Sequence, residues 1–530
     1  MIAAALPVVP LAGALLLLVP PRRYGLRGGP GAERYVRAVG LLFSGLTLVL
    51  AAFVAATFDH GPAERMTQVV DVPWAPAIGL RFHVGVDGVS LPLIVLTALL
   101  TFLCLLYAAR VPPGGRALVG LVLLLEVGML GTFVALDLVL FFVFFEAVLV
   151  PMYFVIAMWG GPDRRAAAHK FVLYTLLGSG VLLAGLMIIA AKGGTLDMVV
   201  LARRHGAGMS HSVQVVAFLL VGLGFAVKAP LWPLHSWLPD AHTEAPVVGS
   251  VLLAGVLLKM GTYGLVRIAL PMAPDGARTW APWLGLLAVV GIGYGSLACL
   301  AQRELKRMIA FSSVGHMGFV LLGIATLTPV GVNGALFGNV AHGLIIGLLF
   351  FLAGSIEGRY GTGKLDALGG MSARLPRLAA ILAFACIAGL GLPGLAGFWG
   401  EMAALLGAYR PGPGLPRTAF VTFMAIGGLG AVLTMAYFLR LLSRTTHAPA
   451  TTADAESAEG AGAGIGSRSG VAVERAVRSA RSARSVHEDV RPHEYAVLIP
   501  LVALILAIGL WPKTLLELTD GPVRALLGGG

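Results

Sequence analysis

Runs of about twenty mostly apolar residues recur along the whole chain, and a bilayer is the environment that accommodates so many of them. At about 20 residues per span they predict helices near 2–20, 37–57, 89–110, 117–136, 138–158, 168–191, 213–231, 245–268, 280–300, 307–328, 332–355, 378–400, 416–441 and 492–511, about fourteen in all. Hydrocarbon offers the backbone no hydrogen-bond partner, so segments of this kind cross as helices that satisfy themselves. Composition agrees. The 530 residues are 58% hydrophobic and 12% charged, against roughly 25% charged in soluble domains. We expect an all-α polytopic membrane protein.

The net charge of +12 invites a nucleic-acid reading, which the distribution of that charge opposes. Lys and Arg sit in short loops and form no patch interleaved with aromatics. About 25 of them fall in loops 22–38, 110–116, 160–170, 302–307, 356–377 and 440–491, the bias of inside-facing loops. Both termini are then outside, no nucleic-acid partner is expected, and Lys192, Arg203 and Arg204 form a mild exception. In MIAAALPVVPLAGALLLLVPPRRYG the arginines follow the apolar run, which predicts an uncleaved first helix. Cys104, Cys299 and Cys386 lie alone in different apolar runs, so neither an iron–sulfur cluster, a structural zinc nor a disulfide framework is expected.

Two spans are interrupted by proline: GFAVKAPLWPLHSW, with Pro230 and Pro233, and GLGLPGLAGFWGEM, with Pro393. A proline removes a backbone donor, and such breaks persist at membrane depth where protein or water satisfies the freed carbonyls. The breaks stand about 163 positions apart, each beside an ionisable residue, a pattern of paired interrupted helices seen in transporters. This divides the chain into N-terminal helices 1–3 (1–115), a first five-helix repeat of helices 4–8 (116–270), a second, inverted repeat of helices 9–13 (279–441), a flexible polar loop (445–491) and a C-terminal helix with its tail (492–530). GAGAGIG in that loop follows no strand and is low-complexity sequence, not a dinucleotide fingerprint.

Within the apolar runs stand Glu146, Lys228, Lys259, His316, His342 and Glu401. A charge at the bilayer centre costs at least roughly 2.5–3.5 kcal/mol, so these residues should face a bundle interior or a wet cavity. Lys228, two residues before Pro230, is either a lysine snorkelling from a helix end or a partly desolvated proton carrier. Glu146 is too short to snorkel from mid-span; it is a static ion-pair partner or a carboxylate that tunes Lys228 by proximity. Lys259 and His316 suit a relay, with Ser312 one turn before His316. His342 reads equally as a satisfied core histidine or a secondary relay member, and Glu401 as an interfacial residue or the counterpart of Lys228. HSWLPDAHTEAP holds His235, Asp240, His242 and Glu244. A metal site is conceivable there, but a mouth leading protons towards Lys228, with His235 as a secondary site, needs no special geometry.

The stretches FFVFFEAVLVPMYFVIAMWG, GFAVKAPLWPLHSWLPDAHTEAPVVGSVLLAGVLLKMGTYG, LKRMIAFSSVGHMGFV and GLPGLAGFWGE together resemble the antiporter-like membrane subunits of respiratory complex I, over most of residues 90–440. FEAVLVPMYF favours the M branch over L and N. The resemblance implies that Glu146 and Lys228 are a regulating pair, that Lys259 and His316 belong to a central hydrophilic axis, and that Glu401 holds the place taken by lysine in related branches. It also implies a proton-translocating subunit of a bacterial-type inner-membrane NADH–quinone oxidoreductase that carries no cofactor itself. NAD, FMN, iron–sulfur clusters and quinone would lie on partner subunits, with L- and N-type subunits as neighbours. A cation/proton antiporter complex, a membrane-bound hydrogenase and a purely structural paralogue remain open on these residues.

Overall fold

A computed structural model of the chain describes residues 2–19, 29–58, 66–108, 115–447 and 489–528. Eleven helices among them are long and apolar enough to cross a membrane, and three further apolar helices are shorter. In order, the helices of eight residues or more are α1 (Ile2–Leu18), α2 (Gly29–Ala56), α3 (Leu91–Tyr107), α4 (Gly115–Val134), α5 (Leu138–Trp159), α6 (Arg164–Gly193) and α7 (His211–Lys228). There follow α8 (Trp237–Glu244), α9 (Val247–Met272), α10 (Pro274–Ala301), α11 (Leu305–Ala325), α12 (Pro329–Tyr360), α13 (Pro376–Gly389), α14 (Ala396–Tyr409), α15 (Arg417–Thr446), α16 (Pro492–Leu510) and α17 (Lys513–Leu526).

The most enclosed are α9, α11 and α12, whose apolar windows are 94–100% buried, whereas α15 is 28% buried. Helices that carry Lys259, His316 and His342 thus occupy the centre, and those with apolar outer faces surround them. A stripe that is apolar all round marks a helix buried in protein or lipid.

Both breaks expected from proline are present. α7 ends at Lys228 and α8 begins at Trp237; the Trp237 indole N–H reaches back to the Val227 carbonyl at 3.0 Å. α13 ends at Gly389 and α14 begins at Ala396. Gly391 and Gly394 adopt φ of 77° and 93° in that break, a left-handed region that side chains disfavour.

Two segments lie outside the all-helical expectation. Thr67–Ala75 (β1) and Leu80–Val86 (β2) form an antiparallel hairpin, with Val70 opposite Val84 and Val72 opposite Phe82. Beyond α16, the expected tail is a helix, α17, whose Asp520 Oδ1 accepts from Asn333 Nδ2 at 2.9 Å.

Polar contacts gather at two ends of the bundle. The hairpin end joins β2 to the end of α4 and, through His83 and Asp197, to the segment after α6. The opposite, basic end holds Lys170 and Arg307 on Asp240 and Lys306 on Glu357. There Arg359 grips Glu494 through two hydrogen bonds of 2.8 and 2.6 Å, while Asp489 accepts the Arg377 and Leu378 N–H groups at the start of α13. The expected polar loop 445–491 falls largely outside the described residues; its described edges are structured, since α15 continues to Thr446 and Asp489 caps α13.

Candidate functional site

Lys259 lies on α9 between two π-helical turns, Leu253–Leu257 and Leu265–Ala269. Such turns interrupt the regular ladder and recur at functional positions. The Lys259 ammonium, fully buried, donates to the Ala254 carbonyl within the first of them. Its other partner is His342 Nδ1 on α12, at 2.6 Å. His342, for which a plain core role was an equal expectation, is therefore the direct neighbour of Lys259.

From His342 the line continues. The rings of His342 and His316 stand 5.8 Å apart, centroid to centroid, nearly perpendicular. His316 Nδ1 lies 3.1 Å from Glu401 Oε1, and the Tyr437 hydroxyl lies 3.4 Å from His316 Nε2. Glu401 sits in the second turn of α14 and folds back over the break: a Cβ on Gly391 would fall 3.0 Å from Glu401 Oε2. His316, His342 and Glu401 border a cavity of about 30 Å³, enough for one water. His342 Nε2 is buried and has no protein partner among the described residues, so a water there would find both a donor and an acceptor. Ser312 takes no part, because its hydroxyl bonds the Ile309 carbonyl of its own helix.

The Glu146–Lys228 region is arranged differently. Lys228 Nζ donates to the Phe145 carbonyl at 3.1 Å and stands 4.2 Å from the centroid of the Phe145 ring. Glu146 accepts a short hydrogen bond from Ser179 on α6. The two lie within electrostatic reach, but no ion pair between them is among those of the described residues. Phe141, Phe145 and Phe225 pack in a cluster with ring centroids 5.6–5.9 Å apart, which shields the ammonium.

The HSWLPDAHTEAP segment divides in two. Asp240 is anchored at the basic end by Lys170 at 2.7 Å and Arg307 at 3.5 Å. His235 turns inward, edge-on to Tyr294 at 5.0 Å, with Nδ1 buried and without a partner among the described residues. His242, which the sequence placed merely in the mouth, is fully buried, stacks on Phe350 at 4.8 Å and has no partner for either nitrogen among the described residues. It lies within electrostatic reach of Lys259 and His342. Its only signal in the sequence was its place seven residues after His235, at the foot of an unbroken apolar span. Glu126 on α4 is fully buried, and neither of its oxygens has a partner among the described residues. Among the described residues no three His, Cys, Asp or Glu side chains converge as a metal site would require.

Taken together, these groups can pass a proton. Lysine can donate to a neutral imidazole, and imidazole can accept at one nitrogen while releasing at the other. A carboxylate at the end of the line accepts from imidazolium.

Comparison with known proteins gives a consistent result. Residues 135–427 match the family described as NADH:quinone oxidoreductase/Mrp antiporter, TM. The chain is 38% identical to NADH-quinone oxidoreductase subunit M of Rhodobacter capsulatus, over 98% of this chain and 95% of that one. Its structure resembles a chain in respiratory complex I from Thermus thermophilus with bound NADH, with a TM-score of 0.80, 31% identity and complete coverage of both. A chain of the Mrp complex from Dietzia, at 23% identity and a TM-score of 0.79, shares the fold over 99% of this chain and 98% of that one.

Proposed function

Since the chain belongs to the NADH:quinone oxidoreductase/Mrp antiporter membrane family, we propose that it moves protons through Lys259, His342, His316 and Glu401 as one subunit of an NADH–quinone oxidoreductase. The observation that carries this reading is the Lys259–His342–His316–Glu401 line, with contacts of 2.6 and 3.1 Å at its ends and a water-sized cavity beside its middle. The complex lies in the bacterial inner membrane, and this chain sits among other membrane subunits, with L- and N-type relatives as its neighbours. Redox chemistry on partner subunits, where NAD, FMN, iron–sulfur clusters and quinone reside, supplies the energy.

Segments 116–270 and 279–441 act as two inverted units, each built around one broken helix. The basic end faces inside and the hairpin end outside, with both termini outside, by the positive-inside bias. A proton enters at the basic end past Asp240 and His235, loads Lys228, reaches Lys259, crosses by His342 and His316, and leaves from Glu401. With Glu146 held by Ser179, Lys228 is not ion-paired. Movement of Glu146 onto Lys228 favours the ammonium, and its return favours release. That exchange is the coupling step.

The test is NADH-driven proton pumping by the assembled complex in liposomes carrying Lys259→Ala. Pumping should fall by at least about tenfold, the equivalent of 1.4 kcal/mol or more of barrier, while the complex still assembles. Undiminished pumping would refute the route. In a complex built around an ion-driven antiporter, NADH would drive no pumping in the unaltered protein either.

A further inference from the structure

At the hairpin end one polar feature has no part in the line above. Arg267, near the end of α9, is 5% exposed and bonds Asp87 Oδ2 at 2.6 Å. Both border a cavity of about 240 Å³ that also meets Met66, His205 and Leu526 of α17, with the exposed Arg203 at its rim. Water therefore reaches the pair from the hairpin end.

The pair is tied across several elements. Asp87 Oδ1 accepts the N–H groups of Val89 at 3.2 Å and Ser90 at 3.0 Å, just before α3. Arg267 Nη2 stands 3.2 Å from Met66 Sδ. α17 lies directly on the turn that presents Asp87: a Cβ on Gly88 would fall 1.7 Å from the Leu518 carbonyl oxygen.

Beneath the pair the surroundings become aromatic. Lys259, Tyr263 and Arg267 are four residues apart in succession, about 6 Å per step along one side of α9. Tyr263 is fully buried and donates to the Phe133 carbonyl at 3.2 Å; its ring packs edge-on to Phe133 at 5.2 Å and stacks on Phe141 at 6.5 Å.

We propose that the Asp87–Arg267 pair, with the Tyr263–Phe133–Phe141 layer below it, is a seal that prevents protons in the hairpin-end cavity from reaching Lys259. Arg267 thereby helps to set the direction of transfer. The inference rests on Lys259 being a carrier. A guanidinium keeps its charge at working pH and cannot hand a proton on. Pinned by Asp87, it presents a fixed positive charge to any proton approaching from the cavity, the same device by which arginine excludes protons from other pores.

The experiment is passive proton flux into liposomes holding the assembled complex, without NADH, under an imposed pH gradient. Arg267→Met should raise the flux by about tenfold, Arg267→Lys should leak as well because a buried lysine can hand a proton on, and Arg267→Met with Lys259→Ala should return to baseline. Unchanged flux in assembled Arg267→Met complex overturns the proposal. So does a leak that persists without Lys259, since that would be a packing defect. If Arg267→Met does not assemble, Arg267→Lys decides in the same assay: a Lys259-dependent leak supports the seal, and flux at baseline overturns it. Pumping by Lys259→Ala alone, measured in parallel, tests the carrier reading separately: if it pumps normally, that reading fails whatever the leak shows.

Discussion

The two broken helices hold their ionisable residues in opposite ways. Lys228 is shielded by phenyl rings, bonded to a carbonyl, and separated from a Glu146 that is engaged elsewhere. Glu401 touches His316 directly, beside a cavity with room for water. The first arrangement must reorganise before charge can meet charge; the second is already connected. A low-dielectric setting strengthens both a made contact and the penalty for an unmade one; under the proposed route the first break switches and the second conducts.

The largest effect should come from the anchor of the second region rather than from its proton groups. Arg359→Met strands Glu494 in a buried site, and removing one partner of a buried pair costs about 3–5 kcal/mol. Thermal unfolding of the complex should shift down markedly, and protection from hydrogen exchange should be lost first around α12 and α16. If protection falls equally around Lys228, the two regions are not independent.

Next, Lys228→Ala and Glu401→Gln should each lower NADH-driven pumping by about tenfold. Only Glu401→Gln should leave the Glu146 environment unchanged, as read by the infrared carboxyl band of Glu146. A change in that band in both variants would mean that the two breaks do not act independently.

A double-mutant cycle on His316 and Glu401 should then return a coupling of about 0.5–3 kcal/mol, as for residues in contact, whereas Glu146 and Lys228 in the resting complex, within electrostatic reach but not in contact, should return a smaller one. Equal couplings would mean that the resting separation of Glu146 and Lys228 is not maintained.

The smallest effect concerns the hairpin end of the first region. Burial alone would raise the Asp197 carboxyl, but the adjacent His83 imidazole and the Val200 and Val199 N–H groups outweigh it and hold it below the ordinary value. A lowered folded value contributes stability above the unfolded pKa, and that stability is lost as pH falls through the folded one. Acidification below about pH 4 should therefore loosen the hairpin and residues 197–203 by no more than about 1 kcal/mol. Asp197→Asn should flatten that dependence in hydrogen exchange. The Asn333–Asp520 contact, which involves the second region, should be insensitive to the same substitution.

Much of the architecture was legible. The spans follow from runs of apolar residues, and Pro230, Pro233 and Pro393 marked both breaks because proline cannot supply the missing backbone donor. The hairpin escaped notice although TQVVDVPWA and LRFHVGV alternate around a turn, because both fall between apolar runs long enough to dominate the reading. His342 stood at even odds in the sequence, and His242 read only as part of a mouth, for a common reason. Nothing near His342 in the sequence indicates that Lys259, 83 positions away, bonds it. Nothing near His242 shows that α8 carries it inward while Asp240, two residues earlier, stays with Lys170.

The order of residues along the chain, then, determined which segments lie in lipid, where helices break and which side chains carry titratable groups, because hydropathy and proline geometry act locally. Only the tertiary structure decided which of those groups meet. Contacts of 3 Å depend on how α9, α11, α12 and α14 are rotated against one another, and that rotation is set by close packing throughout the bundle.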